Sequence, residues 1–244
     1  MMKTINRFDE FREILYQKVA HHVNGEVFPY RFEPPDLVET VEQVRHHPKV
    51  RVAKGERGDR LSKSMAEYED DFREMPLEDA IHAPISLSIF QLESLREPGG
   101  ALADVIESVY LPLAEIWSEQ GLKWKRVYPI LFLSGPGCST NYHWDPSSVL
   151  IVQLYGHKRY HSLKEPGRWC PEEVLEQGHD AMVKPEELST EDILTFDLHP
   201  GDAVWSPNRQ PHWVDAFDET AFTLSIAFTD INASQETEME MLVE

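Results

Sequence analysis

Hydrophobic positions follow two regimes along the chain. Through the first half they recur mainly at helical spacing; from Lys125 onward they come in short, dense or alternating runs of the kind strands bury. Residues 4–20 place Ile5, Phe8, Phe11, Leu15 and Val19 three or four apart among polar neighbours, which predicts an amphipathic helix with one buried face. Pro34-Pro35-Asp36 opens a second helix to His46, with Leu37, Val38, Val41 and Val44 on one side and Pro48 beyond its end. Residues 49–53 predict a short strand, and residues 54–72 a polar surface loop with a short helix around 65–72. Between residues 81 and 92, Ile85, Leu87 and Ile89 alternate with Ser86, Ser88 and Phe90, which is strand period. Glu97-Pro98-Gly99-Gly100 ends that strand. A helix over 101–120 follows, kinked or divided at Pro112 and stopped by Gly121.

The second regime predicts a β core. Residues 127–133 form an apolar strand, Gly135-Pro136-Gly137 turns the chain, and Thr140 to Asp145 follow as an extended segment. Pro146-Ser147-Ser148 links to a strand over 149–160. Residues 196–198, 203–206, 212–216 and 222–228 supply the closing strands, with Gly201-Asp202 as a turn. Residues 165–193 interrupt this rhythm. Within them 171–178 is a helix by its proline start and glycine end, 185–188 is another, and an insertion of this length suits a substrate-covering lid. The acidic tail from Asn232 is frayed or a short helix. No break marks an independent unit. The fold class is mainly β in one domain, 1–244, with a helical N-terminal half and flanking strands (1–124) against a β core (125–231).

The candidate chemistry sits in that core. On an extended strand, side chains at i and i+2 share a face, so His143 and Asp145 aim an imidazole and a carboxylate into one space. His212, at the end of the Gly201-to-Pro207 segment, is the third ligand of a two-histidine, one-carboxylate facial triad that suits non-haem Fe(II) and leaves positions open. Lys158 shares a strand face with Leu154 and Gly156, opposite His157, Arg159 and His161; alone, a lysine at a strand end snorkels to water. The doublets His21-His22 and His46-His47 sit at predicted helix ends, where adjacent residues do not face each other, and are read as structural. His179-Asp180 lacks a third partner and is read as a surface pair.

Gly135-Pro136-Gly137, Thr140, His143-x-Asp145, Gln153-x-x-Gly156-x-Lys158, Gly201-Asp202, Pro207 and His212 together resemble the JmjC-type cupins. These are Fe(II)- and 2-oxoglutarate-dependent oxygenases on a double-stranded β-helix, and the pattern is closest to the member that hydroxylates an asparagine of hypoxia-inducible factor. The resemblance spans roughly residues 128–229. It implies that His143, Asp145 and His212 hold Fe(II), that Lys158 and the Thr140 hydroxyl bind the far carboxylate of 2-oxoglutarate, and that O2 is the oxidant. Asp145 implies hydroxylation, or demethylation through an unstable hydroxymethyl product, rather than halogenation. Two positions depart from the pattern: Val149 and Ala227 stand where asparagines orient the cosubstrate, leaving Tyr128 or Tyr142 as the replacement. Too few residues follow His212 for the C-terminal extensions of the asparaginyl and ribosomal-protein hydroxylases, so those interfaces are expected to be missing.

Composition narrows the partners. The net charge of −20 argues against nucleic acid and anionic membrane by repulsion; it is read first as solubility and leaves room for a cationic substrate. No apolar run is long enough to span a bilayer, and the N-terminus has no signal-peptide core. Cys138 and Cys170 need not pair in a chain with 41% hydrophobic residues, so a reduced, cytoplasmic protein is expected. Three functions follow: a hydroxylase of an amino acid, peptide or other small molecule; a protein hydroxylase or lysyl demethylase; and a metal-binding cupin with a regulatory role. Intact Thr140 and Lys158 speak against the third. Oligomeric state is not legible.

Overall fold

The computed structural model describes residues 4–14, 17–28, 34–54, 65–90, 103, 111–112, 114–115, 117–119, 121–178, 182–229 and 240–241. Two antiparallel sheets face each other as a double-stranded β-helix. The large sheet runs in the order β1 (His21–Val23), β8 (Ala203–Ser206), β5 (Ser148–Tyr155), β10 (Ala221–Thr229), β4 (Arg126–Ser134), β3 (Ile85–Phe90), β2 (Val50–Lys54). The small sheet runs β7 (Ile193–Leu198), β6 (Lys158–Leu163), β9 (His212–Ala216). Strand alternation sorts the side chains of the large sheet. One face carries Leu131, Leu133, Leu150, Val152, Leu224, Ile226 and Phe228 into the main core. The other turns Ile130, Val149, Ile151, Val204 and Ala227 inward, against Tyr160, Leu194, Phe196 and Leu198 of the small sheet. The Tyr160 hydroxyl spans the two sheets, donating to Ser206 Oγ at 2.8 Å.

The outer face of the large sheet is covered by N-terminal elements and an aromatic cluster. Trp117 lies 4.3 Å from Phe228 and 5.6 Å, edge-on, from Trp205, and Phe11 packs on both tryptophans. α2 (Leu37–Arg45) forms where expected, with the Asp36 carboxylate capping the Glu39 N–H and Val41 and Val44 buried; Val38, expected on the same side, is exposed. α3 (Met65–Glu74) also forms as expected, and the short α4 (Leu77–Ala80) follows it.

Five expectations are corrected. Residues 4–20 do not form one helix: Ile5 bridges Val23, a 3₁₀ turn covers Phe8–Glu10, and only α1 (Phe11–Ile14) is α-helical. Pairing of Ile5 with the sheet edge overrides local helical spacing, although Ile5, Phe11 and Ile14 are all fully buried. Consequently His21-His22 lies on β1, paired with Trp205 and Val204, not at a helix end. The expected strand over 149–160 is two strands in different sheets, β5 and β6, separated at Gly156 (φ +67°). Thr140 to Asp145 is not a regular strand but an irregular ribbon. At the tail, Glu240–Met241 pairs parallel with β4 instead of fraying or forming a helix. The flanking strands of the N-terminal half are built into the large sheet. Most of the 101–120 helix, the Glu97-to-Gly100 break and His179-Asp180 fall outside the described residues; Leu111, Pro112 and 117–119 are helical.

Candidate metal and cosubstrate site

The ribbon from Cys138 to Asp145 runs antiparallel to β9 and the turn before it. Thr140 N–H donates to Val214 O at 2.8 Å, and the Val214 N–H donates to the Thr140 hydroxyl at 2.8 Å. His143 and His212 exchange both backbone bonds, at 3.0 and 2.8 Å, and the Arg209 N–H donates to Asp145 O at 2.8 Å. Between the first and second of these rungs two residues, Asn141 and Tyr142, face one, Trp213; between the second and third one residue, Trp144, faces two, Gln210 and Pro211. Such bulges re-aim side chains beside functional sites. Here they bring the ligand atoms of His143, Asp145 and His212 within 4.8 Å of one another.

Each imidazole is held by its Nδ1. His143 Nδ1 lies 2.7 Å from Asn141 O and His212 Nδ1 2.8 Å from Gln210 O. A carbonyl can only accept, so both Nδ1 atoms carry the proton and both Nε2 atoms present lone pairs. The Nε2 atoms lie 3.8 Å and 3.7 Å from the two oxygens of Asp145, too far for hydrogen bonds. Burial and the neighbouring His143 hold His212 at about 4, so it is neutral near pH 7 despite Asp145. The Tyr160 ring stacks on His212 at 5.4 Å and fixes its plane. This donor set, with its backbone carbonyls behind the rings, fits a hard-to-borderline divalent ion. His143 and Asp145 are about a third exposed (34% and 38%), so the triad opens outward.

Lys158 lies deeper. It is 3% exposed, paired in register with Leu198 and Ala216, and no hydrogen bond or ion pair reaches its ammonium among the described residues. Burial pushes its pKa down to about 7, and the same burial pushes the neighbouring Cys138 thiol up to about 11. The snorkelling alternative is therefore excluded; the side chain points into the interior. Gln153 explains the approach: its amide donates to Tyr155 O and Gly156 O at 2.7 and 3.1 Å while Thr223 donates to its Oε1 at 3.0 Å, bracing the turn that delivers Lys158. Thr140 Oγ accepts from Val214 and its own proton is donated to nothing among the described residues.

Tyr128 sits beside the two departures from the asparagine pattern, because Ala227 pairs with Tyr128 on one side and Val149 on the other. Tyr142 does not. It packs edge-on against Trp213, its hydroxyl meets Cys170 Sγ at 3.6 Å, and it joins the cluster of Leu163, Cys170, Leu175 and Met182. That cluster belongs to the 165–193 insert, where α5 (Pro166–Trp169) and α6 (Glu172–Gln177) pack against Tyr142 and Trp144. The insert is thus docked on the back of the ligand-bearing ribbon. A cavity of about 360 Å³ opens between it and the 208–210 turn, with Lys18, Glu172, Arg209 and Gln210 in its lining and none of the triad. Sequence reasoning missed Asn141, Gln210 and Tyr160, whose carbonyls or ring act through tertiary placement that no spacing announces.

Residues 122–236 match the family model of the JmjC domain. That region, just under half of the chain, is similar to a JmjC domain. Among similar proteins, a probable ribosomal oxygenase of Haemophilus influenzae is 24% identical over 153 residues, which are 62% of this chain and 36% of that protein. The X-ray structure of Escherichia coli YcfD superposes with a TM-score of 0.57 at 20% identity, covering 94% of this chain and 54% of that one. YcfD, a ribosomal oxygenase, in complex with cobalt and 2-oxoglutarate gives 0.56 at 17% identity, over 92% and 52%. At such identities the likeness shows the fold, and this chain spans about half the length of the solved relatives. The matched region covers the ribbon, Lys158 and all three triad residues, and no described helix is long and apolar enough to cross a membrane.

Proposed function

We propose that the protein is an Fe(II)- and 2-oxoglutarate-dependent oxygenase that hydroxylates a side chain of a polypeptide. The observation that carries this reading is the convergence of His143, Asp145 and His212, with both Nε2 lone pairs directed toward the carboxylate. Bound there, Fe(II) and 2-oxoglutarate would let O2 act as the oxidant: decarboxylation of the cosubstrate to succinate and CO2 would supply two electrons, with one oxygen atom going to succinate and the other to the substrate. The residues do the rest. His143 and His212 hold the ion through neutral nitrogens, Asp145 adds the anionic ligand, Lys158 pairs with the far carboxylate of the cosubstrate, and the free Thr140 proton is donated beside it. Apolar Val149, Ile151 and Ala227 exclude water from that pole, and Tyr128 supplies the polar group the missing asparagines would have given.

The relatives are named ribosomal oxygenases, which favours a protein over the small molecule first expected. The outward opening of the triad and the net charge of −20 support a polypeptide with basic character. A regulatory, non-catalytic reading is disfavoured by Lys158, since a buried ammonium without a partner is costly and has no structural use here. For the test, protein purified without oxygen receives Fe(II), 2-oxoglutarate and then O2. Succinate should form slowly alone and faster with a basic protein substrate, which gains one oxygen atom. His143→Ala, Asp145→Ala and His212→Ala should each abolish it. Undiminished succinate from all three variants would end the triad reading, and turnover stimulated by a small molecule alone would end the polypeptide reading.

A further inference from the structure

We propose that Arg209 is a positioning residue for Asp145: the left-handed backbone of Arg209, not its charge, keeps the carboxylate in register with the two histidines. The inference rests on the metal-site reading above. Asp145 needs such a brace. Among the described residues its carboxylate contacts only the two imidazoles, at 3.8 and 3.7 Å, and no hydrogen bond orients it. Its direction is therefore inherited from the backbone of the ribbon, and that backbone is tied down by the turn at 207–210.

Three bonds make the tie. The Arg209 N–H reaches Asp145 O at 2.8 Å, Asn208 Nδ2 reaches Pro146 O at 2.6 Å, and the Asn208 N–H reaches Ser148 Oγ at 3.1 Å. The first depends on an unusual conformation. Arg209 has φ +59°, the only positive value at a non-glycine among the described residues. That conformation takes up the surplus residue between the His143–His212 rung and the Asp145–Arg209 rung, so that both ligands remain on one side. A left-handed backbone costs a residue with a Cβ free energy that glycine, and in part asparagine, avoids. Strain of this kind persists where surrounding structure over-determines it. Here the guanidinium lies 5.2 Å over the Trp144 ring and forms an ion pair with Glu172 of α6, which hold the turn from outside.

The two contributions separate by substitution. Arg209→Gly and Arg209→Asn delete the guanidinium but accept the left-handed backbone; Arg209→Val deletes it and resists that backbone. Co(II), whose visible spectrum reports its ligand geometry, is titrated into each purified variant, with thermal unfolding measured in parallel. Gly and Asn should bind Co(II) within about threefold of the parent with its spectrum. Val should bind about tenfold more weakly, which corresponds to about 1.4 kcal/mol, with a spectrum shifted toward that of Asp145→Ala. If Val proves unfolded, Arg209→Ala takes its place with the same direction of effect. Gly and Asn weakened as much as Val would overturn the proposal in favour of the side chain, as would all variants binding like the parent. Failure of the parent itself to bind Co(II) would instead overturn the metal site.

Discussion

Lys158 is the residue whose behaviour departs most from its type. An ammonium at 3% exposure with no partner destabilises the folded chain whenever it is charged. Its folded pKa of about 7 lies below the ordinary 10.5, so the unfolded chain binds more protons between those values and stability rises with pH across that window. Lys158→Met should remove this slope. Thermal unfolding of the ligand-free pair should show the variant more stable, by most at or below pH 7, with the gap closing toward about pH 10. Cosubstrate binding should move the opposite way. Removing one partner of a buried ion pair costs about 3–5 kcal/mol, so Lys158→Ala should weaken 2-oxoglutarate binding by about two to three orders of magnitude. Metal binding should persist, and Arg159→Ala, on the exposed face with Asp197, should change neither. Unaltered 2-oxoglutarate affinity in Lys158→Ala would remove the cosubstrate assignment. At this scale the sequence was informative where chemistry repeats at short spacing. His143 and Asp145 were legible together although the strand invoked for them is a bulged ribbon. Gln210 was not, because its role is a backbone carbonyl, which every residue owns.

The elements show why register matters more than element type. The handover from β5 to β6 was read as one strand because the apolar run that opens at Val149 continues to Tyr160 with Gly156 as its one turn residue. That glycine is required twice. Its φ is +67°, and a Cβ would stand 2.4 Å from Thr220 O and 2.9 Å from Ala221 Cα. Gly156→Ala should therefore destabilise the fold by about 2–4 kcal/mol, combining left-handed strain with backbone displacement. It should also weaken 2-oxoglutarate binding, because Lys158 follows two residues later; denaturant unfolding and cosubstrate titration read the two effects. A stability loss under about 0.5 kcal/mol, within ordinary surface substitutions, would show that the turn relaxes freely. The helix α2 was legible from its Pro34-Pro35-Asp36 start and its spacing, and α3 only as a short helix within a polar stretch. α1 shrank to one turn because the pull of Ile5 toward Val23 is a contact between segments, invisible to a local window.

Across the whole molecule, the proposed site draws on both sheets: Lys158 and His212 come from the small sheet, Val149 and Ala227 from the large, and the ribbon runs beside β9. The N-terminal half completes this by supplying β1, β2 and β3, and its aromatic residues shield the outer face. Hydrophobic spacing had placed two of these strands, β2 and β3, in the helical half; β1 was hidden beyond the helix expected over residues 4–20. The paired backbone bonds between His143 and His212 have a kinetic consequence. Those residues belong to segments remote in sequence, whose meeting is among the costly long-range closures that slow β-rich chains. An ion needing both imidazoles finds no pocket until that closure is complete, so capture falls after the rate-limiting barrier. Stopped-flow refolding should then run at the same speed with or without Co(II), while unfolding slows in its presence. Faster refolding with Co(II) would instead place the two histidines together in the transition state, making the ion a nucleus of folding rather than its late prize.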